Sequence, residues 1–241
     1  MLTIKNTSAV IDAIELLNDI SITINPGEIH AIIGPSRSGK SSLAHLIAGH
    51  PLLIQTEGSI IFNKKNISKL DAEDRASLGI YTTFQNPPEI LGLTNLKLVK
   101  MLLKAKKDSR LDQTIEEDYS KLCELFEMSK NHGNTDIDYD SMTPSEFKKN
   151  ELILMMMLNP KLAIIDEIDL ELDDDDLDIV GAALKNFVNN KKAMLLITNN
   201  KTLLDMMSPT HLHVIVKGVI KKQDDATLYK RIIEDGYSQF P

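Results

Sequence analysis

The chain has 241 residues, of which 42% are hydrophobic and 26% charged, enough to bury a full core in one large domain or one domain with an insertion. Its formal net charge of −8 leaves no broad lysine and arginine footprint, which argues against sequence-independent nucleic-acid binding. A single cysteine, Cys123, excludes an internal disulfide framework, and its place beside Leu122 and Leu125 in a helical pattern makes it a small core residue.

Leu2 to Ile4 and Ile20 to Ile24 alternate apolar and polar side chains, as half-buried strands do, and Asn25-Pro26-Gly27 turns the chain. A short apolar run from Glu28 to Ile33 then ends at Gly34-Pro35-Ser36-Arg37-Ser38-Gly39-Lys40-Ser41. Two glycines spaced by four residues and followed by lysine and a hydroxyl residue form a phosphate-binding loop. That spacing turns a strand tightly into a helix and aims successive N–H groups at a nucleotide's phosphates. Lys40 would reach the β- and γ-phosphates and Ser41 would ligate Mg²⁺. The required helix follows from Ser41 to Ala48, with Leu43, Leu46 and Ile47 at helical spacing and Gly49 closing it.

Glu57 to Asn63 reads as a strand, Asp71 to Leu78 as a short helix with an acidic first turn, and Ile80 to Phe84 as a strand that stops at Gln85. Asn86-Pro87-Pro88 blocks continuation, so Gln85 lies in a loop at a strand end. From Asn95 to about Met128 the pattern is helical, an all-helical insertion with Lys104 to Arg110 as its charged connector. Lys130 to Asp140 reads as a mobile polar loop. Thr143-Pro144-Ser145-Glu146 opens a helix to Met157 with a capping box, and Asn159-Pro160-Lys161 ends it.

Leu162 to Ile165 is a continuous apolar run, suited to a central parallel strand, and finishes in Asp166 and Glu167. These carboxylates are expected to face the glycine loop from an adjacent strand, Asp166 as a Mg²⁺ ligand and Glu167 orienting or deprotonating an attacking water. The run Asp173 to Asp176 reads as the acidic first turn of a helix from Leu177 to Val188 and not as a metal cluster. Met194 to Thr198 is a strand ending at Asn199, Leu212 to Ile220 a hairpin around Gly218, and about Asp225 to Glu234 a last helix. The alternation of strands and helices predicts an α/β fold with a mainly parallel sheet. No apolar stretch is long enough to span a bilayer, and the N-terminus lacks a signal peptide's basic region and long apolar core, so a cytoplasmic protein without direct membrane insertion is expected.

In this order the pieces resemble an ATP-binding-cassette (ABC) ATPase. Within that superfamily the chain is similar to the SufC-type ATPases of iron–sulfur cluster assembly, along nearly its whole length. The resemblance rests on Pro26 to Pro35, Ala48-Gly49-His50-Pro51, Phe84 to Ile90, Glu146 to Glu151 and Asn159 to Asp169. It implies a P-loop NTPase fold of ABC type: an N-terminal antiparallel β part, helices on both faces of the sheet, a core at 1–85 and 159–241, and a helical subdomain at about 86–158 of one domain. It also implies ATP at Gly34 to Ser42, Mg²⁺ near Ser41, Gln85 and Asp166, and Glu167 as catalytic carboxylate. Implied partners are SufB- or SufD-type scaffolds and a second cassette, self or paralogue, closing a nucleotide-sandwich dimer.

The chain departs from that pattern at Thr143, Pro144 and Ser145, which stand where the family signature has serine and two glycines. Proline offers no N–H and serine adds bulk. Asn199 aligns with the family's γ-phosphate histidine and donates hydrogen bonds without a positive charge. Arg37 replaces a loop glycine, and Leu170 and Glu171 replace small residues used in communication across the dimer. ATP binding is therefore expected with hydrolysis that is slow or partner-dependent. The alternatives are a degenerate cassette that binds nucleotide as a structural or regulatory subunit, and a transporter ATPase subunit.

Overall fold

The computed structural model describes residues 1–224 together with 229, 232, 236, 237 and 240. Two compact units emerge: Met1–Thr82, Lys161–Glu167 and Val188–Pro241 form the first, and Thr83–Pro160 with Ile168–Phe187 form the second.

The first unit opens with strands β1 (Leu2–Ile11) and β2 (Ile14–Ile24), a hairpin turned at Asp12 and Ala13, both at positive φ. These strands are far longer than their alternation suggests. Register shifts between Ile4 and Thr7, Thr7 and Ala9, and Ala9 and Val10 break the two-residue period, and Asn6 and Asp19 adopt φ of 42° and 49° at the irregularity. After β3 (Ile29–Ile33) and helix α1 (Lys40–Ala48), strands β4 (Ile54–Phe62) and β5 (Lys65–Asn66) complete a sheet of order β2-β1-β4-β5. Helix α2 (Ala72–Leu78) is capped by Asp71, whose side chain accepts from Asp74 N–H.

Strands β6 (Ile80–Thr82), β9 (Leu162–Asp166), β10 (Ala193–Ile197), β11 (His211–Val216) and β12 (Val219–Asp224) join β3 in a sheet of order β12-β11-β3-β10-β9-β6. All neighbours are parallel except the β11–β12 hairpin. Every residue of β3, β9 and β10 is buried, as strands covered on both faces require. Here one expectation is corrected: β9 is not adjacent to β3, because β10 lies between them, with Ile197 opposite both Ile32 and Asp166. A crossover connection places no constraint on which parallel strand becomes the neighbour, so the apolar run alone did not fix the order. Leu43, Ala44, Leu46 and Ile47 of α1 are fully or almost fully buried in one core with Leu2, Ile4, Leu162 and Leu195. Helix α7 (Lys201–Met207), which the sequence reading passed over, is capped by Asn200. The helix expected from about Asp225 to Glu234 falls mostly outside the described residues; Tyr229 and Ile232 within it are buried.

The second unit holds α3 (Asn95–Ala105), α4 (Asp112–Leu125), α5 (Pro144–Leu158) and α6 (Asp174–Phe187). Between Asn95 and Met128 it is helical as expected, and outside that stretch β7 (Ile90–Thr94) pairs antiparallel with β8 (Asp136–Ile137). The stretch 130–140 is not a featureless loop: His132–Asn134 forms a 3₁₀ turn, and Ile137 packs in a small cluster with Met142 and Phe147. Asn95 anchors the segment, its Nδ2 donating to the carbonyls of His132 and Thr135 at 3.2 and 3.0 Å. A buried side-chain amide replaces the apolar periodicity that would have flagged the segment. Cys123 is buried as expected, and burial pushes its thiol up to about 11.

Candidate nucleotide site

Within the first unit the glycine loop joins β3 to α1. Gly34 is fixed by space: a Cβ there would lie 2.2 Å from the Ile215 carbonyl oxygen and 2.7 Å from Ser38 Oγ. Gly39 is fixed by conformation, at φ +104° as the residue before α1. No side chain caps α1 and no acidic residue sits in its first turn, so the helix presents open N–H groups and the positive end of its dipole. Ser38 Oγ is buried without a hydrogen-bond partner. An orphaned hydroxyl, a glycine cradle and an uncapped helix start fit a bound phosphate chain.

Lys40 is 5% exposed, and its Nζ donates to the Gly34 and Pro35 carbonyls at 3.1 Å each. Its third neighbour is Glu167 Oε1 at 3.7 Å. The lysine is thus curled onto its own loop, surrounded by acceptors of the kind that phosphate oxygens supply. Ser41 and Ser42 follow it at the start of α1, half-buried, while Ser36 and Arg37 are exposed. Arg37 sits at φ +62°, in the left-handed region that favours the glycine it replaces.

Asp166 ends β9 with 1% exposure. Glu167 is also left-handed, at φ +48°, and its N–H donates to Ile197 O at 2.9 Å. A non-glycine residue held there stores strain that is common at functional sites. Asn199 Nδ2 donates to Gly34 O at 3.0 Å, and its Oδ1 accepts from Gly34 N–H at 3.2 Å and from the Tyr237 hydroxyl at 2.8 Å. Gly34 O accepts from both Lys40 and Asn199, which occupies its two lone pairs. Sequence reasoning missed Tyr237, which carries no motif; burial pushes its phenol up to about 12.

The remaining expected site residues belong to the second unit. The Gln85 carbonyl accepts from Lys148 Nζ at 2.6 Å, and Phe84 N–H donates to Glu151 Oε1 at 2.8 Å. The capping box of α5 is complete: Thr143 Oγ1 accepts from Glu146 N–H at 3.2 Å, and Glu146 Oε2 accepts from Thr143 N–H at 2.8 Å. Ser145 Oγ donates to Asp176 Oδ2, while Lys149 Nζ holds Asp176 Oδ1 at 2.8 Å. Partial burial pushes the Asp176 carboxyl up, but hydrogen bonds from Lys149 and Ser145 bring it below the usual range. The acid run does start a helix, with Asp173 Oδ1 accepting from Asp176 N–H and three aspartates in the first turn of α6. Its tie to Ser145 and Lys149 was not legible in the sequence.

A parallel sheet with a glycine loop between strand and helix, a buried lysine in that loop and a carboxylate beside it define a P-loop nucleotide-binding protein. The family model described as ABC transporter matches residues 17–169, and the chain belongs to that family. It is 36% identical over 242 residues to a probable ATP-dependent transporter, ycf16, of Cyanophora paradoxa, covering 98% of this chain and 93% of the relative. To the probable ATP-dependent transporter SufC of Escherichia coli K12 it is 34% identical, covering 98% and 97%. It is an ABC ATPase resembling SufC. The fold also matches the dimeric structure of the ATP-binding cassette MJ0796 bound to ADP and Pi, with a TM-score of 0.82 at 19% identity over 94% of this chain and 99% of that one. Among the described residues no helix is long and apolar enough to cross a membrane.

Proposed function

We propose that the chain is a SufC-like, cytoplasmic ATP-binding subunit that couples ATP binding and slow or partner-dependent hydrolysis to movement of an iron–sulfur assembly scaffold of SufB or SufD type. The observation that carries the reading is the meeting of Lys40 Nζ and Glu167 Oε1 at 3.7 Å on the glycine loop. The open N–H groups of the loop and Lys40 bind the phosphates of ATP. Ser41 and Asp166 would hold Mg²⁺, which would neutralise phosphate charge. Glu167 orients the attacking water and takes its proton. A second cassette, self or paralogue, completes the site.

Hydrolysis is slow because the signature segment has fewer donors to offer that second cassette. Pro144 has no N–H, the Thr143 hydroxyl serves the helix cap, and the Ser145 hydroxyl donates to Asp176. Missing one such donor lowers a rate by on the order of 10²-fold. The same observation favours a second reading, a cassette that binds nucleotide and acts as a structural or regulatory subunit. Phosphate release measured with and without a SufB- or SufD-type protein separates the two. The ATPase reading expects release stimulated by the scaffold and removed by Glu167→Gln; release that survives this substitution refutes the assigned base, and none above background under either condition favours the second reading.

A further inference from the structure

At the end of β3 opposite the glycine loop, three imidazoles and a carboxylate gather that the nucleotide chemistry does not use. We propose that Glu28, His30 and His211 form a binding site for one zinc-class divalent transition-metal ion, with His213 and Thr210 orienting the two histidines.

One ligand atom from each of Glu28, His30 and His211 lies within 4.8 Å of the others, and among the described residues this is the cluster of three such groups close enough to hold an ion. The parallel register sets His211 opposite His30, and the rings of His30 and His211 stack at 4.3 Å between centroids. Glu28 Oε2 stands 3.0 Å from His30 Nε2. Tetrahedral zinc with Zn–N bonds of about 2.0–2.1 Å wants its ligand atoms roughly 3.3 Å apart. The ligand atoms, now within 4.8 Å of one another, have to draw together by up to about 1.5 Å for such an ion, and His211, being exposed, has room to approach.

The outer contacts are those of metal-ligating histidines, whose second ring nitrogen is held by a partner. For His211 that partner is Thr210: Nδ1 lies 3.0 Å from Oγ1. The Thr210 hydroxyl already donates to Ile29 O at 2.9 Å, so it can only accept from His211, which puts the proton on Nδ1 and leaves Nε2 bare. For His30 the partner is His213, with Nδ1 and Nε2 2.8 Å apart. His213 Nδ1 has no hydrogen-bond partner although the residue is 2% exposed. His213 therefore serves as either acceptor or donor to His30, whichever the state of His30 Nε2 requires. The carboxylate is held as well, Glu28 accepting from Asn25 N–H at 2.6 Å and from Asn25 Nδ2 at 3.0 Å.

Burial disfavours the charged form of both His30 and His213. Partial burial pushes Glu28 up, but hydrogen bonds from Asn25 and His30 outweigh it and bring the carboxyl to about 2. Two imidazoles with one carboxylate suit zinc and its neighbours, whereas Mg²⁺ prefers an all-oxygen shell. Gly34 lies four positions beyond His30 along β3, about 13 Å of strand, so this is not the nucleotide's own ion.

The test uses the full chain, chelator-treated and nucleotide-free, titrated with Zn²⁺ against a chromophoric competitor and with Co²⁺ followed by visible absorption. The proposal expects one equivalent with tetrahedral Co²⁺ bands, undiminished by millimolar Mg²⁺. His211→Ala alters an exposed side chain, with folding checked by circular dichroism, and should weaken binding by more than about 100-fold; His213→Asn, which removes an outer partner, should weaken it about 10- to 100-fold. His50→Ala, in the separate stacked pair with His45, should leave it unchanged. Absence of a stoichiometric site, retention of wild-type affinity in His211→Ala, or loss of the site in His50→Ala would overturn the proposal.

Discussion

The glycine loop and the start of α5 handle their polar groups in opposite ways. Around the loop, an uncapped helix start, a buried hydroxyl without a partner and a lysine curled onto two carbonyls leave donors in place for a ligand. At α5, the side chains of the signature segment are engaged within the segment's own unit: Thr143 with Glu146, Ser145 with Asp176, and Lys149 with Asp176. A helix N-terminus with a capping box and a proline at its first position is a well-stabilised helix, and for that reason a poor anion site. On the proposed function, binding rests on one helix start and turnover on the other, so the two can be separated by substitution.

The largest expected effect concerns Glu151, one turn and a half beyond the signature on α5. Burial pushes its carboxyl up to about 8 from 4.5, so the folded chain keeps a proton that the unfolded chain has lost. Stability is then full below about pH 4.5 and falls as pH rises toward about 8, with an accumulated loss on the order of a few kcal/mol. Glu151→Gln should flatten that slope in urea unfolding between pH 5 and 8. Parallel slopes for the two proteins would show that Glu151 is ionised in the fold and that α5 is less tightly buried than described.

Next in size is the signature itself. Replacing Pro144 and Ser145 together by glycine returns an N–H and releases Asp176, and should raise scaffold-stimulated phosphate release by up to on the order of 10²-fold while nucleotide affinity stays within a few-fold. An unchanged rate would place the deficit elsewhere, with Asn199 the next residue to replace by histidine. Smaller again is Arg37→Gly, which relieves a left-handed arginine in the loop. It should stabilise the first unit by about 1 kcal/mol in thermal unfolding. Destabilisation would mean that the guanidinium makes up for its backbone.

The same contrast explains what the sequence made legible. The loop, the capping box and the strand ending in Asp166 were readable because each is a local pattern with one physical solution: a glycine at a crowded turn, a hydroxyl three residues before a glutamate, an apolar run covered on both faces. What escaped was non-local or aperiodic. The β1–β2 hairpin was cut short by bulges, the 130–140 segment is held by a distant amide at Asn95, and β10 inserted itself between β3 and β9. In the site, Lys40 and Glu167 were legible as motif residues. The Tyr237–Asn199–Gly34 link and the Ser145–Asp176–Lys149 link were not, because their partners lie 38, 31 and 27 residues or more apart and carry no spacing rule.

Equilibrium titration of the nucleotide-free chain with a fluorescent ATP analogue and Mg²⁺, wild type against Lys40→Ala, tests the central claim most directly. Hydrogen bonds to a charged partner contribute about 1.5–3 kcal/mol each, so the substitution should weaken binding roughly 10- to 100-fold, while Glu167→Gln leaves affinity largely intact. Equal affinity in wild type and Lys40→Ala, or no saturable binding in wild type, would contradict a triphosphate held on the loop from Gly34 to Ser41.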